Sequence, residues 1–143
     1  MSSLHFLDVN GWVALNYERH THHATARRWY EAQPASTRLV FCRQTQLALF
    51  RILTTSAIMA EEVLTQRKCW QVYDRWVSTG QVVWAEEPAE LEASLRTRTA
   101  SASASPKSWM DAYLAAFAET ANLTLVTFDK ALAGKAKGAL LLA

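Results

Sequence analysis

Residues 4–8, Leu4-His5-Phe6-Leu7-Asp8, form a short apolar run that closes on an acid, and residues 123–129, Leu123-Thr124-Leu125-Val126-Thr127-Phe128-Asp129, repeat this pattern near the other end of the chain. Short runs of apolar and β-branched residues, bounded by turn or helical sequences, are typical of buried strands. A helical segment follows the first run at 11–15, and a longer one at 108–121 precedes the second. These two stretches therefore predict strands that are joined through helices.

The rest of the chain continues the alternation. Further strand candidates lie at 38–41 and 81–84, helical segments are predicted at 22–33, 44–53, 60–77 and after Pro88, and a last apolar strip covers 139–142. Strands separated by helices favour a parallel sheet with helices on both faces. We therefore expect an α/β fold, a single-domain three-layer α/β/α sandwich with a central parallel sheet, over residues 1–143. The Ser-, Thr- and Ala-rich stretch 97–105 is expected to be a mobile surface loop.

The composition is that of a globular protein, with 50% hydrophobic and 20% charged residues. A net charge of +2 and a pI of about 8.7 are compatible with nucleic acid but do not demonstrate it. No apolar run has the length of a membrane span, and the N-terminus lacks the pattern of a secretory signal. Cys42 and Cys69 form no CxxC pair, which is typical of reduced thiols. We therefore expect a cytoplasmic protein without a membrane partner.

Three acids that are distant in the sequence are predicted to meet at one edge of the sheet. Asp8 follows the first strand, Asp129 follows the strand at 123–127, and Asp111 opens the helix before that strand. In open parallel sheets, ligands collect beyond the carboxyl ends of the strands. The start of a crossover helix lies at that same edge. The three carboxylates are therefore expected to converge.

Converging carboxylates repel one another and need a compensating positive charge. Hard oxygen ligands select Mg²⁺, or Mn²⁺, over Zn²⁺. Such an ion lowers the pKa of a bound water, orients it at phosphorus and neutralises charge on the leaving oxygen. Asp8, Asp111 and Asp129 are therefore candidate metal ligands and catalytic residues for phosphodiester hydrolysis.

Each acid also fits a purely structural role. Asp111 stands three residues after Ser108, in a spacing like that of a capping box, and Asp129 and Asp8 both precede helical segments as N-caps do. Asn10 is an alternative cap for the helix at Gly11. The metal-site interpretation depends on all three acids lying at one edge.

At this point several local strings resemble those of PIN domains, especially VapC-type toxins of toxin–antitoxin pairs. The likeness follows the family's order along nearly the whole chain, and it is carried by Phe6–Asn10, Trp12–Leu15, His22–Ala24, Ala26–Trp29, Thr45–Leu47, Phe50–Thr54, Asp111–Ala116 and Leu125–Asp129.

The resemblance implies a compact α/β/α fold and a magnesium-dependent endoribonuclease, the toxin component of a type II toxin–antitoxin system. It also implies an RNA substrate, a cognate antitoxin in the active-site groove, and a homodimer. By position, Asp8, Asp111 and Asp129 match the family's acidic residues. Asn10 and Thr127 match polar positions that would hold the carboxylates or metal-bound water.

The chain departs from the family in the helix after the second strand, where many PIN domains have a glutamate. Gln46 stands near that place, and an amide brings no negative charge and coordinates a metal more weakly. Either three aspartates suffice or activity is reduced. Arg43 and Arg51 lie in the same segment, and either one would meet a phosphate if it faces the cleft.

Two other functions remain open on the sequence alone. Asp8-Val9-Asn10 is weakly similar to the DxD string of aspartate-nucleophile phosphatases, which act on small phosphate esters, but the second acid is missing. The missing helix glutamate also fits a catalytically weak or silent binding module with the PIN fold. A dinucleotide enzyme is not expected, because no GxGxxG follows the first strand.

Overall fold

The computed structural model describes residues 3–143, and at its centre lies a sheet of parallel strands. The strands are β1 (Leu4–Leu7), β2 (Arg38–Phe41), β3 (Val82–Trp84), β4 (Thr124–Thr127) and β5 (Leu140–Leu141). Their order across the sheet is β3-β2-β1-β4-β5. Phe6 of β1 pairs with Val40 on one side and with Leu125 on the other. β1 is therefore the central strand.

Helices fill the connections between these strands. They are α1 (Val9–Asn16), α2 (His23–Glu31), α3 (Arg43–Leu53), α4 (Ser56–Met59), α5 (Gln66–Ser78), α6 (Leu91–Arg98), α7 (Ser108–Thr120) and α8 (Lys130–Ala133), with a 3₁₀ turn at Ala60–Glu62. None of the helices within residues 3–143 combines the length and the hydrophobicity that a membrane crossing requires.

Alternating strand residues point into two separate hydrophobic clusters, one on each face of the sheet. Leu7 and Val126 pack with residues of α1, α2, α3 and α5, where the Trp12 ring stacks on Phe41 at a centroid distance of 3.8 Å. The other face packs with α6, α7 and α8. Side chains alternate between faces because the period of a strand is two. The expected three-layer α/β/α sandwich is therefore confirmed.

The helix predicted over 60–77 is wrong in its first part. The chain instead forms α4 and the 3₁₀ turn, and α5 begins only after Thr65, whose hydroxyl accepts a hydrogen bond from the backbone N–H of Lys68 at 3.2 Å. Before that cap, the N–H of Leu64 donates to the carbonyl of Leu53 at 2.8 Å, which holds this segment out of the helix. Apolar residues at helical spacing here belong to two different elements.

The loop predicted over 97–105 also begins too early, because α6 continues to Arg98. The guanidinium of Arg98 donates to the carboxylate of Glu119 on α7 and to the backbone carbonyl of Lys135, both at 2.5 Å. These contacts fix the end of α6 against its neighbours.

Phe117→Ala should lower the free energy of unfolding by about 3–5 kcal/mol, because it opens a cavity in the core. The Phe117 ring is fully buried and stacks on Phe6 with a centroid distance of 5.0 Å. Trp109→Ala is the matched control on the same helix, since its side chain is 57% exposed. Urea denaturation of both variants provides the measurement, and equal losses would contradict this assignment of the core.

Candidate active site

The predicted acids lie where the strand order of the sheet reverses. From β1 the chain moves outward to β2 and β3, and it then returns to form β4 and β5 on the other side of β1. The connections after neighbouring strands β1 and β4 therefore run to opposite faces and leave a crevice at their carboxyl ends. Asp8 follows β1 at this crevice, and Thr127 and Asp129 end and follow β4.

Asp8 is a buried carboxylate, with only 5% of its surface exposed. Its Oδ1 accepts a hydrogen bond from the backbone N–H of Gly11 at 2.9 Å, so that it caps α1. Its Oδ2 accepts one from the hydroxyl of Thr127 at 2.6 Å. A side chain at residue 11 would be crowded, because a Cβ there would lie 3.3 Å from Asp8 Oδ1 and from Leu7.

The environment of Asp8 raises the pKa of its carboxyl group. Burial is the largest cause, and the negative charges of Asp129 and Asp111 act in the same direction. The hydrogen bonds from Thr127 and Gly11 lower the pKa and offset part of this effect. Three carboxylates distant in sequence therefore interact through their charges at the crevice.

Asp129 is exposed and caps α8. Its Oδ1 accepts hydrogen bonds from the backbone N–H groups of Ala131, at 2.8 Å, and Leu132, at 3.3 Å. Its own backbone N–H donates to the Thr127 hydroxyl oxygen at 2.9 Å. The buried Thr127 hydroxyl thus connects the Asp8 side chain to the backbone of Asp129.

Asp111 lies in the first turn of α7 and is partly exposed. Its Oδ2 is 3.6 Å from the ammonium nitrogen of Lys135, the only ion pair that any of the three acids makes within residues 3–143. Lys135 was not among the residues singled out from the sequence. This ion pair joins α7 to the turn after α8, and no local pattern signals it.

The three carboxylates do not surround a single point. Across residues 3–143, no three histidine, cysteine, aspartate or glutamate side chains lie close enough together to hold a metal ion as they stand. Asp8 and Asp129 also cap their helices, so the structural interpretation of these two acids describes real contacts.

The donor set nevertheless fits a hard divalent cation. Asp8 is desolvated and faces two further negative charges, while Lys135, the only cation paired with any of these three acids among residues 3–143, lies beside Asp111. Carboxylate oxygens are the ligands that Mg²⁺ and Mn²⁺ prefer. A cation among these acids would relieve the repulsion that raises the Asp8 pKa.

The predicted supporting residues of α3 make no polar contact with the three acids among residues 3–143. Gln46 is 2% exposed, and its Oε1 accepts a hydrogen bond from the Arg43 guanidinium at 2.6 Å. Arg43 lies in turn over the Trp84 ring, 4.5 Å from its centroid. Arg51 is exposed two turns further along α3, and its side chain forms no hydrogen bond or ion pair with another described residue. Among residues 3–143 the Arg51 side chain makes no polar contact with the three acids, and its supporting role stays a prediction.

Asn10 is exposed in the first turn of α1 and borders a groove beside Asp129. This groove, called the histidine groove below, has a volume of about 450 Å³ and is lined by Asn10, His20, Thr21, His22, Phe128 and Asp129. Sequence reasoning did not assign His22 or Phe128 to a site. The sequence feature that could have indicated Phe128 as a site residue is its position directly before Asp129, at the end of a predicted strand.

The chain matches a known family over most of its length. The family model described as PIN domain covers residues 5–138. Ribonuclease VapC41 of Mycobacterium tuberculosis is 41% identical over 128 residues, which cover 87% of this chain and 88% of that protein.

Solved structures share the fold. The crystal structure of Mycobacterium tuberculosis VapC20, described as a Sarcin-Ricin loop cleaving toxin, has a TM-score of 0.65 at 17% identity and covers 91% of this chain and 93% of that one. VapBC-1 from nontypeable Haemophilus influenzae has a TM-score of 0.59 at 14% identity, with 96% of each chain covered. The fold, the family match and the sequence identity agree: this chain belongs to the PIN-domain family and is a VapC-type member of it.

Proposed function

We propose that this protein is a magnesium-dependent endoribonuclease and the toxin component of a type II toxin–antitoxin system. The observation that carries the proposal is the buried Asp8 carboxylate, held by Thr127 at the strand-order reversal and facing the charges of Asp111 and Asp129. The 41% identity to a protein named as a ribonuclease supports RNA as the substrate.

Asp8, Asp111 and Asp129 would hold the metal ion. When bound, Mg²⁺ or Mn²⁺ activates water for attack on phosphorus and stabilises charge on the leaving oxygen. The chain's own residues set the geometry of the ligands. The Gly11 N–H and the Thr127 hydroxyl each fix one oxygen of Asp8. The backbone N–H groups in the first turn of α8 fix the side chain of Asp129.

An antitoxin partner and a homodimer remain part of the proposal. Solved relatives include VapBC-1 from Haemophilus influenzae and FitAcB from Neisseria gonorrhoeae, which share the fold at 14% and 18% identity. We infer from the family that a small cognate antitoxin blocks the acidic crevice. The cytoplasmic location also stays a prediction.

A catalytically silent PIN-fold binding module is the second candidate, and Gln46 favours it. This neutral side chain is buried and accepts a hydrogen bond from Arg43, near the place where the resemblance to PIN domains implies a glutamate. Titration calorimetry with Mg²⁺ and Mn²⁺ separates the two functions, because an enzyme of this type binds the ion and loses RNA cleavage in EDTA. Absence of metal binding by the wild-type protein would favour the binding module.

No contact favours the small-ester phosphohydrolase. Both carboxylate oxygens of Asp8 accept hydrogen bonds within the fold, and Asn10 points to the groove in place of the second acid that such enzymes use.

Asp8→Asn should reduce RNA cleavage in Mg²⁺ by more than about 100-fold. The substitution removes a charged candidate ligand, and loss of a ligand costs more than the roughly 10- to 100-fold loss typical of supporting residues. Cleavage of structured RNAs by wild type and variant, with EDTA as the metal-free control, is the measurement. Equal cleavage would exclude the assigned role of Asp8.

The same substitution should raise the free energy of unfolding of the metal-free protein by about 1 kcal/mol. The wild-type protein keeps a charged carboxylate in its interior for its function, and that buried charge destabilises the fold. Asparagine still accepts from Gly11 and donates toward Thr127 Oγ1. Burial raises the folded-state pKa of Asp8 above its ordinary value of 3.8. At pH values above the raised pKa the carboxylate is charged in the folded protein, and its charge then lowers the free energy of unfolding by the full amount. The advantage of Asp8→Asn should therefore shrink as the pH falls from the raised pKa towards 3.8. Urea denaturation in EDTA across this range tests the prediction, and a pH-independent difference would contradict it.

Thr127→Val should lower both Mg²⁺ affinity and cleavage by about 10- to 100-fold, since it leaves Asp8 Oδ2 without its donor. Thr127→Ser keeps the hydroxyl and serves as the matched control. Calorimetry reports metal affinity on the folded variants separately from cleavage rate. If valine and serine variants bind Mg²⁺ equally well, Thr127 does not position Asp8.

A further inference from the structure

The histidine groove adjoins the acidic crevice, and most of its lining residues are not among the candidate metal ligands. It shares Asp129 with the candidate ligands and Asn10 with the first turn of α1. Its other lining residues are aromatic, imidazole or hydroxyl groups. Its volume of about 450 Å³ lies within the range of small-molecule binding sites.

Two stacked rings form one wall of this groove. The imidazole of His22 lies on the phenyl ring of Phe128, with the centroids 4.3 Å apart and the planes 10° from parallel. Phe128 packs against the hydrophobic core, while His22 is exposed. The His20 ring stands beside His22 at 5.7 Å with a tilt of 44°. One face of the His22 ring is therefore open to solvent, and its other face lies on Phe128, which packs against the core.

Hydrogen bonds fix the segment that carries His22. Its backbone N–H donates to Nδ1 of His20 at 3.0 Å. The next residue, His23, bonds through its own Nδ1 to the carbonyl oxygen of Ala14 on α1 at 2.7 Å. A ring held in place before binding loses little conformational freedom when a ligand stacks on it.

The charges around the groove select against a bound phosphate. No lysine or arginine lines it, and its one charged carboxylate belongs to Asp129. A flat, neutral heterocycle fits such a surface, because stacking depends on π-faces and not on charge. The exposed amide of Asn10 offers a hydrogen-bond donor and an acceptor to the edge of that heterocycle.

We propose that the histidine groove binds one unstacked nucleobase of the RNA, which stacks on His22, while the adjoining phosphodiester lies outside the groove on the crevice side of Asp129, where the proposed cation would offset the negative charges. This inference rests on the proposed ribonuclease function and adds a base-binding subsite to it. The subsite accepts only an unpaired nucleotide, because a base inside a duplex has no free face for His22.

The test uses the inert Asp8→Asn variant and a short fluorescent uridine oligoribonucleotide in Mg²⁺ buffer. Adding His22→Ala should weaken binding by about 5- to 100-fold, which is the range for loss of one base–aromatic stack. Adding His22→Phe should keep the affinity within about 3-fold, because a phenyl ring also stacks. Trp70→Ala is the matched control, since Trp70 is an exposed aromatic on α5 outside the groove.

A second measurement tests whether base and ring touch. An oligoribonucleotide with one abasic position at the site of binding should lose as much affinity as His22→Ala loses, and the two losses should not add. Additive losses would overturn the stacking assignment. Unchanged RNA affinity in His22→Ala would overturn the inference as a whole and leave the groove to a protein partner.

The two proposals fail in different experiments. If wild type does not cleave RNA in Mg²⁺ while the inert variant still binds it through His22, the hydrolase fails and the nucleobase site stands. If wild type cleaves and His22→Ala binds RNA normally, the nucleobase site fails and the ribonuclease stands. Thermal unfolding of His22→Ala should stay close to that of its parent, because the exposed His22 side chain makes no cap hydrogen bond for α2 and loses only its stack on Phe128.

Discussion

The hydrogen bond from the Thr127 hydroxyl to Asp8 Oδ2 is the contact on which the acidic crevice depends. A hydroxyl has one hydrogen, and here it is donated to a buried carboxylate at 2.6 Å. The same oxygen accepts from the backbone N–H of Asp129. The Thr127 side chain therefore fixes both the orientation of the Asp8 carboxylate and the start of the turn that carries Asp129. Without it, a desolvated charge would lose its strongest donor.

Much of the fold followed from the sequence, because short apolar runs alternate with helical segments. The strand at 38–41 has the predicted bounds, and the three-layer arrangement follows from parallel strands that need helical crossovers. The segment at 60–77 was mispredicted for a physical reason. Apolar spacing cannot show that Thr65 starts a new helix while the residues before it bond to the end of α3.

The positions of Asp8, Asp111 and Asp129 at strand ends and at a helix start were predictable from the order of the elements along the chain. Their partners were not. The ion pair between Lys135 and Asp111 and the stack of His22 on Phe128 join residues from separate elements, and periodicity holds no information about such contacts. The burial of Gln46 beneath Arg43 likewise depends on how α3 packs.

The pairing of β1 with β4 has a consequence for how the protein is made. The bond between Asp8 and Thr127 spans 119 residues of chain, so the acidic crevice cannot assemble until the strand that carries Thr127 has left the ribosome. A partial translation product that stops before β4 contains the first acid but no crevice. A chain under synthesis therefore has no acidic crevice until β4 is available to pair with β1.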